Sequence, residues 1–286
     1  MLLVKNFDDY EIIAMSSGEK LERWNNYYLL RPDPEIIWQE NLDKTIAHAH
    51  YHRSNKGGGY WEKLKKMPDR WQINYKSLVF NAKLMGFKHT GIFPEQSINW
   101  DFMMDKITKE KQKTNKEIKV LNLFAYTGCA SVACLKAGAQ VVHVDSSRGM
   151  VDWAKENVKS SNLENKPIRY IVDDCIKFVQ REIRRGNKYD AIIMDPPSYG
   201  RGTKNEVWNI EKDLFNLVTL TKQILEKEPL FFIINSYTAG LSPKVLENIL
   251  KITLKEKNGT ITSGELGIKA TNGLILPCGV YARYEK

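Results

Sequence analysis

Asp195-Pro196-Pro197-Ser198-Tyr199 puts a carboxylate, two rigid residues and an aromatic ring into five consecutive positions. The segment ends the apolar run Ile192-Ile193-Met194, which reads as a buried strand. Proline locks φ and lacks an N–H. Pro196 and Pro197 would therefore hold the Asp195 side chain and the Pro196 carbonyl in place. Both are acceptors for an amino group, and Tyr199 can stack on a flat ring. A corner of this kind can grip a planar, amino-bearing molecule and aim a nitrogen lone pair.

Other polar clusters also follow apolar runs. NLFAYTGCAS holds one glycine, Gly128, where a dinucleotide fingerprint needs three. No GxxxxGK[ST] occurs, so a nucleoside triphosphate loop is unsupported. In VVHVDSS, Asp145 falls 17 residues past Gly128, close to the spacing of an acid that holds ribose hydroxyls. Ser146 stands beside it. The bland alternative is that Asp145 caps a helix starting near Arg148. In VDDC, Asp174 can accept from an exocyclic amino group such as adenine's. Asp173 is the alternative, and either could be a helix cap. Cys175 packs beside a ligand or within the helix. After a further apolar run comes NSYTAG.

These clusters need elements to hold them. From about residue 103 a charged amphipathic helix is followed by strictly alternating apolar strands and helices. KVLNLFA, QVVHVD, IRYIV, YDAIIMD and LFFIINS read as strands, apolar throughout as when both faces are covered. SVACLKAG, GMVDWAKENVKSS, IKFVQREIRRG, the long VWNIEKDLFNLVTLTKQILE and PKVLENILKITLKE read as helices, the last opened by Ser242 and Pro243. Five such strands imply a doubly wound α/β fold with a mostly parallel sheet. TITSGELGIKA and GLILPCGVYARYE add an antiparallel pair at its edge, making seven strands. The first 89 residues differ: short aromatic and branched segments broken by SSGE and RPDP suggest a smaller β-rich domain, with residues 90–286 forming the second. HAHYHRSNKGGGYWEKLKK, with His48, His50 and His52, reads as a mobile basic loop. HxHxH without acidic partners argues against a metal, and Tyr60 and Trp61 either stack on bases or close a small core.

In an open parallel sheet, ligands bind beyond the carboxyl ends of the strands. Here those ends carry carboxylates and one glycine but no phosphate loop. That suits a nucleoside cofactor without phosphate, S-adenosyl-L-methionine, and the arrangement resembles a class I methyltransferase. TGIFPEQSINW, NLFAYTGCAS, DPPSYGRGTKNEVW and GELGIKATNGLILPCG together resemble the bacterial rRNA large-subunit methyltransferase family, whose members include cytosine-C5 and guanine-N7 enzymes. The resemblance runs from about residue 90 to the end and more loosely over the N-terminal strands. It implies that Phe124, Tyr126, Thr127 and Gly128 line the methionine part. By the same resemblance Asp145 meets the ribose, Asp174 the adenine, and Gln96 of GIFPEQ lies near the cofactor. Cytosine C5 methylation needs a thiolate that adds to C6. In the C5 members that cysteine follows the fifth strand, where this chain has Asn235-Ser236-Tyr237-Thr238. A nitrogen target is therefore expected, with Cys278 the one remaining outside candidate.

The totals agree with an RNA enzyme without demanding one. The 286 residues carry 43 Lys and Arg against 34 Asp and Glu, a net charge of +9, compatible with phosphate binding through counterion release. The expected partner is RNA, rRNA or a ribosomal-subunit precursor. No apolar run suggests a membrane span, no signal peptide is read, and the four scattered cysteines make no CxxC pair, so a reducing cytoplasm is expected. Two alternatives remain: a methyltransferase of protein or small molecules, and a non-catalytic RNA binder with a retained cofactor pocket.

Overall fold

The computed structural model describes residues 1–54, 57–201 and 207–286. The chain forms two compact units. An N-terminal unit comprises residues 2–98 and 266–278; a central unit comprises residue 1, 99–265 and 279–286. The division expected at 89/90 thus falls at 98/99, and a late segment returns to the N-terminal unit. That excursion lies inside a hairpin of uniform strand character, so no change of composition marks it.

The N-terminal unit contains β1 (Leu2–Leu3), β2 (Tyr10–Ser16), β3 (Glu19–Trp24), β4 (Tyr27–Pro32), β5 (Ala49–Arg53), β6 (Gly59–Lys63), β7 (Arg70–Tyr75) and β8 (Leu78–Lys83). β2 to β6 form one sheet in chain order, and β7 pairs with β8 alone. Strand β7 shows the cause plainly: Trp71, Ile73 and Tyr75 are buried while their neighbours are exposed, the period of two that a half-covered strand requires. A buried Tyr10–Glu22–Arg31 cluster ties the first three strands of the sheet. Tyr10 donates to Glu22 at 2.7 Å, and Arg31 grips the same carboxylate through Nε at 2.5 Å and Nη2 at 2.6 Å. Burial opposes ionisation of Glu22, but the charges of Arg31 and Lys20 and its hydrogen bonds hold its carboxyl down to about 2.

The segment expected as a mobile loop instead contains the antiparallel pair β5–β6; its residues 55 and 56 lie outside the described residues. Ala49 and Tyr51 point inward and are buried, whereas His50 and His52 alternate with them. The glycines and charges that follow His52 in the sequence obscured that alternation. Tyr60 is 63% exposed, so it closes no core. Trp61 is half-buried and donates its indole N–H to Phe87 O at 3.3 Å.

The central unit contains α1 (Ser97–Thr114), β9 (Lys119–Leu123), α2 (Cys129–Lys136), β10 (Gln140–Asp145), α3 (Arg148–Ser160), β11 (Ile168–Val172), α4 (Cys175–Arg185), β12 (Ala191–Met194), β13 (Tyr199–Arg201), β14 (Val207–Asn209), α5 (Ile210–Lys222), β15 (Phe231–Ser236), α6 (Pro243–Thr253), β16 (Thr260–Lys269) and β17 (Ile275–Glu285). The order of its sheet is β16-β17-β15-β12-β9-β10-β11. The five strands from β15 to β11 are parallel and β17 is antiparallel to β15. The sheet has eight strands rather than seven, because β1 pairs in parallel with Leu266–Gly267 of β16. Every residue of β12 and β15 is buried, as expected for central strands covered on both faces.

Helix boundaries follow local chemistry. Asp174, Asn209 and Ser242 cap α4, α5 and α6 with their side chains, and Gly186 ends α4 at φ +68°. The long helix expected from Val207 starts later, at Ile210. Val207–Asn209 pairs instead with Tyr199–Arg201. Asn209, followed by Glu211 and Asp213 in the first turn, is the start signal that the apolar pattern overran.

Candidate active site

Strand β9 lies between β10 and β12, so the chain winds one way from β9 to β11 and the other way from β12 to β15. That reversal opens a crevice at the carboxyl ends of β9 and β12. The register aligns those ends: Leu123 pairs with both Val144 and Met194, Asp145 with Val172, and Met194 with Ile234. The turns beginning at Phe124, Ser146, Asp173, Asp195 and Tyr237 therefore leave one edge of the sheet together.

The turn after β9 is strained. Phe124, Tyr126 and Gly128 have φ of +52°, +50° and +79°, and left-handed backbone at a non-glycine residue costs about 1–3 kcal/mol. Its surroundings over-determine it. Phe124 N–H donates to Cys175 Sγ at 3.4 Å and Ala125 N–H to Val144 O at 3.0 Å. Tyr126 N–H donates to Asp145 Oδ2 at 2.8 Å, and Asn157 Nδ2 to Thr127 O at 2.8 Å. Below the turn a buried chain runs from Asn122 Nδ2 to Ser131 Oγ at 2.9 Å, and Ser131 Oγ lies 3.0 Å from His143 Nδ1. Burial pulls His143 down to about 3, so its imidazole is neutral.

Gly128 has two reasons to be glycine. Besides its left-handed φ, an added Cβ would stand 2.8 Å from Ala154 Cβ on α3. Gly128→Ala should therefore destabilise the protein by at least about 1–2 kcal/mol from handedness alone, and separate α2 from α3. Thermal unfolding checks it; an unchanged Tm would contradict the packing described.

Asp145 spends one lone pair of each oxygen on the backbone: Oδ2 accepts from Tyr126 and Oδ1 from Ser147 N–H at 2.8 Å. The helix-capping position of α3 belongs to Ser147, not Asp145. Burial pushes the Asp145 carboxyl above its ordinary value, against those two donors. No cation pairs with it among the described residues. Ser146 is exposed beside it. Asp173 and Asp174 divide the alternatives. Asp173 is ion-paired with Arg181, while Asp174 caps α4 through Oδ1 and Lys177 N–H at 2.9 Å. Cys175 lies in the core, where its sulfur serves Phe124.

At the proline corner Asp195 is half-buried, Pro196 buried, and Pro197 and Tyr199 exposed. The Pro197 carbonyl accepts from Trp208 Nε1 at 2.6 Å. Ser198 O accepts from Ile210 N–H at 3.1 Å, and Ser198 Oγ lies 2.7 Å from Thr238 Oγ1. The Trp208 ring also meets Phe124, centroids 5.0 Å apart, joining the corner to the strained turn. Arg201 Nε donates to the Tyr199 hydroxyl at 3.2 Å. Trp208 and Thr238 were not among the candidates from sequence. A tryptophan just ahead of the Asn209 cap was the available signal for the first. The rest of the corner motif, residues 202–206, lies outside the described residues.

Gln96 belongs to the N-terminal unit, buried in the turn Pro94–Gln96 with its N–H donating to Phe93 O at 3.0 Å. Cys278 belongs there too. Its thiol is driven well above its ordinary value by burial, reinforced by the Glu95 carboxylate. Burial likewise raises Cys129 to about 12 and lifts Cys134 and Cys175.

Residues 36–242 match the family model described as S-adenosylmethionine-dependent methyltransferase. The ribosomal RNA large subunit methyltransferase K/L of Syntrophotalea carbinolica is 28% identical over 210 residues, covering 71% of this chain but only 28% of that protein. The chain thus spans little more than a quarter of that relative. Among solved structures, a SAM-dependent methyltransferase from Agrobacterium tumefaciens is 32% identical with a TM-score of 0.93, covering 99% of this chain and 92% of that one. The methyltransferase SMU.776, solved with SAH, shares the fold at 17% identity and a TM-score of 0.75, over 98% of this chain and 76% of that one. The family match covers most of the chain and both of its units, and the strand-tip geometry agrees with it: the chain belongs to the S-adenosylmethionine-dependent methyltransferases.

Proposed function

We propose that this methyltransferase acts on RNA, at a base nitrogen of 23S rRNA. The observation that carries nitrogen over carbon is where the cysteines lie: none stands at the end of β15 and the turn after it, Asn235-Ser236-Tyr237-Thr238, or in residues 195–199, and Cys134 and Cys175 are buried in the core, so no thiol is offered there for addition to a pyrimidine ring. RNA as the substrate class is supported by the relative's name and by the net charge of +9.

The strand tips fit the cofactor. Asp145 has lone pairs left on both oxygens and no cationic partner among the described residues, as suits a neutral ribose diol and not a phosphate. In the proposed arrangement Phe124, Tyr126, Thr127 and Gly128 line the methionine part. Asp174, with one oxygen still uncommitted, meets the adenine amino group, Ser146 stands beside the ribose, and Cys175 supports the turn from below. When bound, S-adenosylmethionine supplies an electrophilic methyl group on a positively charged sulfur. The chain's own task is alignment. Asp195 and the Pro196 carbonyl hold the substrate's amino group, Pro197 is braced by Trp208, and Tyr199 covers the base. Such orientation can contribute roughly 7–11 kcal/mol.

Nucleoside mass spectrometry of 23S rRNA from a deletion strain and its parent tests the proposal. One base-nitrogen-methylated nucleoside should disappear and return on complementation. Loss of 5-methylcytidine instead would overturn the nitrogen assignment, and an unchanged rRNA profile would overturn the substrate.

A further inference from the structure

The β5–β6 hairpin gathers side chains that the methyltransferase chemistry does not use. Residues two apart on a strand share a face, so His50 and His52 stand together, their ring centroids 4.0 Å apart. The register sets Glu62 of β6 directly opposite His50, where cross-strand side chains meet. His52 Nε2 lies 2.8 Å from Glu62 Oε2, and His50 Nε2 lies 2.6 Å from Glu19 Oε1 of β3. One ligand atom from each of His50, His52 and Glu62 falls within 4.8 Å of the others. The acidic partner missing from the linear HxHxH pattern is thus supplied by neighbouring strands.

We propose that His50, His52 and Glu62 form a zinc-binding site on this hairpin. Two imidazole nitrogens and one carboxylate oxygen are the donor set of a three-ligand zinc site with an open position for water. Imidazole donors favour Zn2+ over Mg2+ or Ca2+, which want oxygen cages. Ligands of a tetrahedral zinc stand about 3.3 Å apart, from bond lengths near 2.0–2.1 Å. Closing the set therefore asks only for side-chain adjustment, and Glu62, 52% exposed, is free to make it. Glu19, itself ion-paired with Lys44, is placed to orient the His50 ring, as carboxylates commonly do for a ligating imidazole. The bound ion would clip β5 to β6 through side chains from both strands.

The test uses tag-free, full-length protein freed of metal by a chelator and titrated with zinc chloride by calorimetry. Cobalt absorption reports imidazole and carboxylate ligation independently. One zinc per chain should bind. His52→Ala and Glu62→Gln should each weaken it by about tenfold or more, while Cys129→Ser leaves it unchanged. Zinc should raise the Tm of the parent protein by mass action and not that of the two ligand variants. Because Glu62 is exposed, Glu62→Gln keeps the fold and carries the test even if His52→Ala disturbs the hairpin. No saturable zinc binding, or binding that survives both ligand substitutions, would overturn the site.

Discussion

Asp145→Ala should bind S-adenosylmethionine at least about tenfold more weakly than the parent protein. Each hydrogen bond to a charged acceptor is worth roughly 1.5–3 kcal/mol, and about 1.4 kcal/mol is a factor of ten in Kd. With Asp145 in its proposed place against the ribose, the two hydroxyls would lose their acceptor together. The backbone also suffers, since Tyr126 and Ser147 N–H both donate to this carboxylate. For that reason Asp145→Asn is not a silent replacement. Its amide nitrogen must face one of the two N–H donors, so one bond of the pair is lost and affinity should fall between parent and alanine variant. Acid should act in the same direction. Burial raises the Asp145 carboxyl, so the acceptor is protonated, and binding weakens, at a pH above the ordinary value of about 3.9. Calorimetry with the cofactor and with its demethylated product measures all three effects. Unchanged affinity in Asp145→Ala would remove the assigned role.

Asp195→Ala should separate binding from turnover. Cofactor affinity should stay within a few-fold of the parent, while kcat falls by roughly a hundredfold, the scale of a lost alignment contact. Asp195→Asn retains one acceptor oxygen and should recover part of the loss. Methylation of the proposed rRNA substrate, followed under single-turnover and steady-state conditions, measures this. If the alanine variant turned over at the parent rate, the proline corner would not be where the substrate is held.

The central unit was largely legible because its cues are local. Apolar runs such as YDAIIMD become strands buried on both faces, and Asp174, Ser242 and Gly186 mark helix ends by chemistry that needs no partner. The candidate residues of that unit were legible for a topological reason: a parallel sheet delivers the turn after each strand to one edge, so Asp145, Asp174 and Asp195 could be nominated without knowing their distances. The features that escaped depend on contacts remote in sequence. The left-handed turn uses Phe124 and Tyr126, residue types that give no sign of it, and relies on Cys175 and Asp145 to hold it. Trp208 reads as part of an amphipathic helix until its indole is seen on Pro197 O. His50 and His52 lacked acids in the linear pattern because Glu19 and Glu62 arrive from other strands.

The loan of residues 266–278 to the N-terminal unit has a consequence for biogenesis. Domains ordinarily fold in the order in which the ribosome makes them. Here the first unit stays short of its last segment until the whole parallel sheet of the second has been translated. Nascent residues 2–98 must therefore wait, incomplete, and a chain cut at 98/99 would leave that first unit without residues 266–278.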